Sequence, residues 1–189
     1  AKLKETAIQN DATIILNGER VVSISNSDFK NIPAEIYITD GGGNSKYDVI
    51  FVNQYVYYQV SSVDYGFEKI YDKTGKESID INKFDPDFIH IYQDGTETDT
   101  ESIAKGAILQ VMCSYNESGS IDYDKHMEIT VLAKTLSGTV TKLSEDKFYI
   151  DDEEYYALPE AAEKISLGKT YNFYLGLDDL IVAVDDGIK

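Results

Sequence analysis

Four kinds of residue in this chain could do chemistry: two histidines, one cysteine, a glycine-rich loop and many clustered carboxylates. His90 alternates with isoleucines in FIHIY, and His126 follows DYDK beside a hairpin turn. Neither sits at zinc-ligand spacing from the other or from Cys113, so a histidine-built metal centre is not expected. Cys113 lies in the apolar run LQVMC and reads as a buried small hydrophobe, and a single cysteine cannot form an intramolecular disulfide. A serine nucleophile needs a base and an oxyanion pocket, but no G-x-S-x-G occurs, and Ser118-Gly119-Ser120 reads as a turn. The loop DGGGNS, Asp40 to Ser45, has the glycines of a phosphate cradle, yet a β-branched run follows it where that motif requires a helix.

Carboxylates offer two further chemistries. Glycoside hydrolysis needs only a pair across a cleft, and candidates abound: Asp85 with Asp87, Asp94 through Glu101, Asp122 with Asp124, Asp151 to Glu154, Asp178-Asp179 and Asp185-Asp186. Nearly all fall in expected turns, where aspartate hydrogen-bonds to the backbone, and there is no tryptophan to form a sugar platform. Calcium takes six to eight oxygen ligands, and QDGTETDTE, with Asp94, Glu97 and Asp99, comes closest to a calcium loop. It lacks the repeated aspartates and terminal glutamate of an EF-hand, so calcium stands as an alternative and no metal, cofactor or catalytic residue is assigned.

The elements that would carry these residues are strands. The run KYDVIFVNQYVYYQVSSVD, Lys46 to Asp64, is rich in β-branched and aromatic residues and holds no proline or glycine. Ala12 to Leu16 leads into Asn17-Gly18, the dipeptide of a type I′ hairpin, with Arg20 to Ile24 returning. Ala34 to Thr39, Glu68 to Asp72, Ser78 to Phe84, Phe88 to Tyr92, Ala107 to Tyr115 and Met127 to Ala133 read as further strands, separated by turns. Leu136 to Leu143, Phe148 to Ile150, Tyr155 to Ala157, Thr170 to Leu175 and Leu180 to Val184 complete the set. Pro159 to Leu167 is the one expected helix, with proline in its first turn and Gly168 as its cap.

The order repeats. YYQVSSVDYGFEKIYD, from Tyr57, parallels KTLSGTVTKLSEDKFYID, from Lys134; IAKGAILQVMCS with MEITVLA parallels ISLGKTYNFYLG with LIVAVD. The first unit fits with ATIILNG in the place of the early strand and AEIYIT, DGGGNSKYD and VIFV as the terminal hairpin. The expectation is an all-β chain of two to three tandem small barrel-like units of the SH3-like or OB-like kind: 1–56, 57–134 and 135–189, with a single short helix in the last. No Pro/Gly/Ser linker separates them, so contacting units are expected.

Composition narrows the partners. Across 189 residues, 34 acidic side chains against 17 basic give a formal charge of −17, opposite to the basic footprint that nucleic acid or anionic lipid requires. Apolar runs fall short of the roughly 18 residues that span a bilayer. The chain starts at Ala1 without the apolar core of a signal peptide and reads as a processed protein or an excised segment. Fifteen tyrosines suit both pleated packing and protein contact.

KYDVIFVNQYVYYQVSSVD, followed by KIYDK and later by SGTVTK, resembles the β-rich repeats that accompany S-layer homology domains in exported proteins of clostridia and their relatives. The similarity runs from about Ala34 to Val184. It implies a non-catalytic, extracellular spacer or stalk whose partners are proteins or neighbouring domains of the same chain. The anchoring domain itself is not in this sequence. A calcium- or carbohydrate-binding β module, and a phage tail or secretion-apparatus component, are the alternative expectations.

Overall fold

The computed structural model describes residues 8–21, 33–43, 47–133, 135–144 and 147–186, and they form a mostly-β protein of three sheets. The expected strand residues 22–24, the last two residues of DGGGNS and the far end of the chain lie outside the described residues.

The first sheet holds β1 (Ile8–Leu16), β2 (Glu19–Val21), β3 (Ala34–Thr39) and β4 (Tyr47–Gln54), in the order β2-β1-β4-β3. Asn17 (φ 48°) and Gly18 (φ 85°) both take the left-handed region that a two-residue hairpin demands. β1 lies parallel to β4, with Ile14 opposite Ile50 and Leu16 opposite Val52. That pairing corrects the place of ATIILNG: a strand parallel to the last strand of its unit is a fourth strand, not an early one.

β5 (Val56–Asp64), β6 (Lys69–Asp72), β7 (Ile79–Asp80), β8 (Ile89–Gln93), β9 (Thr96–Thr98), β10 (Ile108–Cys113) and β11 (Met127–Leu132) form the second sheet. Its order is β7-β6-β5-β10-β11-β8-β9, with β8 parallel to β11. Of these seven strands only β9 is unexpected; it pairs with β8 in a hairpin that turns at Asp94-Gly95. Ser78 to Phe84 is not one strand. Ile79 and Phe84 both enter the core, and their odd separation would send them to opposite faces of a continuous strand. A 3₁₀ turn at Ile81–Lys83 brings Phe84 back, where it packs on Tyr123 at 4.8 Å.

The third sheet is β12 (Thr135–Ser144), β13 (Lys147–Ile150), β14 (Glu153–Tyr156), β15 (Thr170–Leu175) and β16 (Ile181–Asp186), ordered β14-β13-β12-β15-β16. The helix α1 (Pro159–Ala162) lies between its third and fourth strands, and a parallel bridge joins Ala157 to Ile181. Helix α1 stops well short of Leu167. The Tyr171 hydroxyl donates to the Lys164 carbonyl (3.0 Å) and accepts from the Ser166 N–H (3.1 Å), supplying partners that another helical turn would have provided.

Cores lie inside the second and third sheets. One gathers Tyr58, Val60, Ile70, Ile79, Leu109 and Ile129 among others; the second gathers Val140, Ile150, Phe173 and Ile181 with Ala161 of α1. The two are built alike. Gly106 N–H donates to Val60 C=O (2.8 Å) and Val60 N–H to Ala107 C=O (2.9 Å); Gly168 N–H donates to Val140 C=O (2.8 Å) and Val140 N–H to Lys169 C=O (2.9 Å). In both, a bulge follows that valine, between Val60 and Ser62 and between Val140 and Lys142.

Candidate functional site

Among the described residues no cleft gathers converging catalytic groups, and the most organised polar and apolar contacts lie at the two places where one sheet meets the next. The first junction is Tyr55, the single residue between β4 and β5. Asn17, at the tip of the β1–β2 turn, donates from Nδ2 to the Cys113 carbonyl (2.6 Å), accepts from the Gln54 N–H (2.8 Å) and presents its carbonyl to the Ser114 hydroxyl (3.4 Å). One side chain therefore ties the first sheet to the end of β10. Lys125 Nζ reaches Glu19 at 2.9 Å across the same gap, an exposed pair of small energetic weight. Between them lies a groove of about 550 Å³ that reaches from Arg20 to Tyr115.

Burial pushes the Cys113 thiol up, with a Tyr115 hydrogen bond working against it. A buried thiol held protonated is a packing residue rather than a nucleophile, as its apolar flanks indicate.

The second junction is built on Tyr57. Its ring is buried in a cluster with Ile108, Val182 and Ala183, residues of the second and third sheets together. Its hydroxyl donates to Gln110 Oε1 (3.0 Å) and accepts from the Leu177 N–H (3.2 Å). Burial pushes this phenol up, with the Leu177 N–H working against it, so it stays neutral. Gly176 makes the approach: a Cβ there would lie 2.5 Å from the Tyr57 oxygen and 2.7 Å from two ring carbons. Beside it opens a cleft of about 180 Å³ bordered by Pro33, Tyr55, Gln59, Leu158 and Lys164 and crossed by a Lys76–Glu160 contact of 3.3 Å.

Several of the aspartates are engaged by the backbone. Asp48 accepts from the Gly41 (2.8 Å) and Gly42 (3.1 Å) amides, so the glycine loop already cradles an anion of its own. Asp64, Asp85, Asp99 and Asp122 each accept from an amide two residues on. Of the calcium candidates, Asp99 caps the 3₁₀ turn at Thr100–Ser102, Glu97 Oε1 accepts from His90 Nδ1 at 2.7 Å, and Asp94 holds a left-handed turn. The structure does bring the two imidazoles together, His90 and His126 at 5.3 Å between centroids. Sequence spacing could not reveal this, because the parallel β8–β11 register sets it. Among the described residues no group of three or more His, Cys, Asp or Glu side chains is placed to hold a metal, and no helix is long and apolar enough to cross a membrane.

Asp72 is a carboxylate with four hydrogen-bond donors around it. It accepts from the amides of Gln59 (2.8 Å), Thr74 (2.7 Å) and Lys76 (3.1 Å) and from the Thr74 hydroxyl. Burial pushes it up, but these hydrogen bonds outweigh burial and hold it below its ordinary value of 3.8. Its stabilisation is therefore complete above that value and is lost as pH falls through the lower folded value, where the unfolded chain binds the extra proton. Asp72→Asn is expected to cost about 1–2 kcal/mol at neutral pH. Urea titrations should show that difference shrinking as pH drops below the ordinary carboxylate range.

Comparison with family models, with curated proteins and with solved structures finds no match for the chain.

Proposed function

We propose that this protein is a non-catalytic structural and interaction module, a spacer of an exported bacterial surface protein, made of OB-like units held in fixed contact. The observation that carries the reading is the Tyr57–Gly176 junction, where a glycine admits a buried tyrosine whose hydroxyl bonds to both neighbouring units. A catalytic protein would concentrate its precision in a cleft; this one concentrates it between units. Junctions of one or two residues support the same reading, since a chain that passes from sheet to sheet without a linker transmits orientation and force. The acidic surface of net charge −17 fits a protein kept soluble and apart from anionic polymers. Export and envelope location rest on the likeness of KYDVIFV, KIYDK and SGTVTK to repeats of S-layer-associated proteins.

Antibodies raised against the folded chain are expected to label intact cells of the source bacterium. Labelling that appears only after lysis would overturn the extracellular assignment.

A further inference from the structure

The register of the first sheet matches half of the second, residue by residue. Ile14 faces Ile50 across a parallel pair and Leu16 faces Val52, as Ile91 faces Ile129 and Gln93 faces Val131. The hairpin after each is the same, Asn17-Gly18 and Asp94-Gly95, with both residues at positive φ. On the other side, Ile36 pairs with Val52 and Ile38 with Ile50, as Leu109 pairs with Val131 and Val111 with Ile129. Thus β1, β2, β3 and β4 stand for β8, β9, β10 and β11, and the strands that stand for β5, β6 and β7 are not among the described residues.

Burial records the difference. Leu109 and Val111 are each 0% exposed, whereas Ile36 and Ile38 in the same register positions are 48% and 39% exposed. In the third sheet the matching pair, Tyr171 and Phe173, is again buried, at 3% and 0%. What covers the pair in both complete units is a three-stranded antiparallel meander, β5–β7 or β12–β14, whose first strand pairs with β10 or β15. Among the described residues β3 has no strand on that edge.

We infer that the outer edge of β3, with Ile36 and Ile38, is a docking site for a three-stranded β-meander of the β5–β7 kind supplied by another polypeptide segment. Its first strand runs antiparallel to β3. The residue opposite Ile38 is a branched aliphatic, as Val56 is opposite Val111 and Leu136 is opposite Phe173. Opposite Ile36 stands a tyrosine or glycine, as Tyr58 does to Leu109 and Gly138 to Tyr171. Main-chain pairing along the edge gives affinity, and the inward residues give specificity. Left without an occupant, an edge flanked by exposed isoleucines is an aggregation site. The inference deepens the interaction-module reading and rests on it, yet it is independent of where the protein works.

The test is amide hydrogen exchange on the intact chain, with a synthetic peptide of residues 56–80 as the probe. Saturating peptide is expected to slow exchange of the β3 amides facing away from β4 by about tenfold or more. A control peptide carrying Val56→Asp and Val60→Asp should give no protection, and because the change is in the peptide the protein's folding is untouched. Equal protection by both peptides, or none from either, would overturn the inference. So would concentration-dependent protection of β3 without peptide, accompanied by dimers in sedimentation, since the occupant would then be a second copy. Each of these results leaves the whole-cell labelling outcome unaffected, so failure of this inference is separable from failure of the export reading.

Discussion

Gly176→Ala is expected to separate the unfolding of the second and third sheets into two transitions, where the parent chain is expected to unfold them together. The new Cβ would lie 2.5 Å from the Tyr57 oxygen, inside any tolerable contact, and backbone and ring both resist the shift needed to relieve it. If the ring moves, its hydroxyl gives up Gln110 Oε1 and the Leu177 N–H, two bonds made in a buried setting. Overpacking of this kind costs about 1–3 kcal/mol, and here the loss falls on the contact between units rather than on either core. The core of the third sheet, around Phe173 and Ile181, does not include Tyr57, so it should melt near its own limit. Tyr57→Leu vacates the space and should make Gly176→Ala much less damaging, giving a coupling energy well beyond the roughly 0.3–0.5 kcal/mol of independent sites. Additive losses in calorimetry, or a single transition retained by Gly176→Ala, would sink the junction account.

Much of the fold was legible in the sequence because its signals are local. Asn17-Gly18 and Asp94-Gly95 announce hairpins because they enter the left-handed region more readily than other residues, and alternation in MEITVL and FIHIY fixes which residues face inward. The parallel between Gly106 and Gly168 was visible as a motif, and the structure supplies its reason: each amide bonds a valine carbonyl just before a bulge. What the sequence hid were consequences of long-range register. The parallel pairing of β1 with β4 moved ATIILNG from an early strand to a fourth strand, and no local pattern encodes a partner that far along the chain. Helix α1 was overestimated because Pro159, Glu160 and Gly168 are genuine helix signals, whereas the Tyr171 hydroxyl that ends it comes from a later strand.

The junctions show the same division. Inside the segment Lys46 to Asp64, where a unit boundary after residue 56 is expected, Tyr55 divides β4 of one sheet from β5 of the next. Tyr57 and Tyr58 are adjacent and chemically identical, yet the pleat sends Tyr58 into the core of the second sheet and Tyr57 into the cluster shared with Val182 and Ala183. Gly176 lies beside the acidic turn at Asp178-Asp179, but its purpose is set by a ring from over a hundred residues away.

Phe173→Ala should act in the opposite way to Gly176→Ala, by emptying a core and leaving the junction's contact atoms in place. Phe173 is fully buried, packs edge-on to Tyr171 at 5.6 Å and sits between Leu136 on β12 and Val184 on β16. Removing a buried phenylalanine typically costs about 3–5 kcal/mol, a large share of what a unit of this size commands. No neighbouring side chain can fill the space cheaply, because Tyr171 is held by its hydroxyl between Lys164 and Ser166. The third sheet should therefore unfold at lower urea, while β5 to β11, whose core shares no residue with it, keeps its own midpoint less whatever docking contributed. Residue-resolved hydrogen exchange separates the two: protection lost at Val140, Ile150 and Val184 with protection retained at Val60, Val111 and Ile129 is the expected pattern. Uniform loss across both cores would mean that the units have no independent stability, and the chain would then have to be treated as one cooperative body.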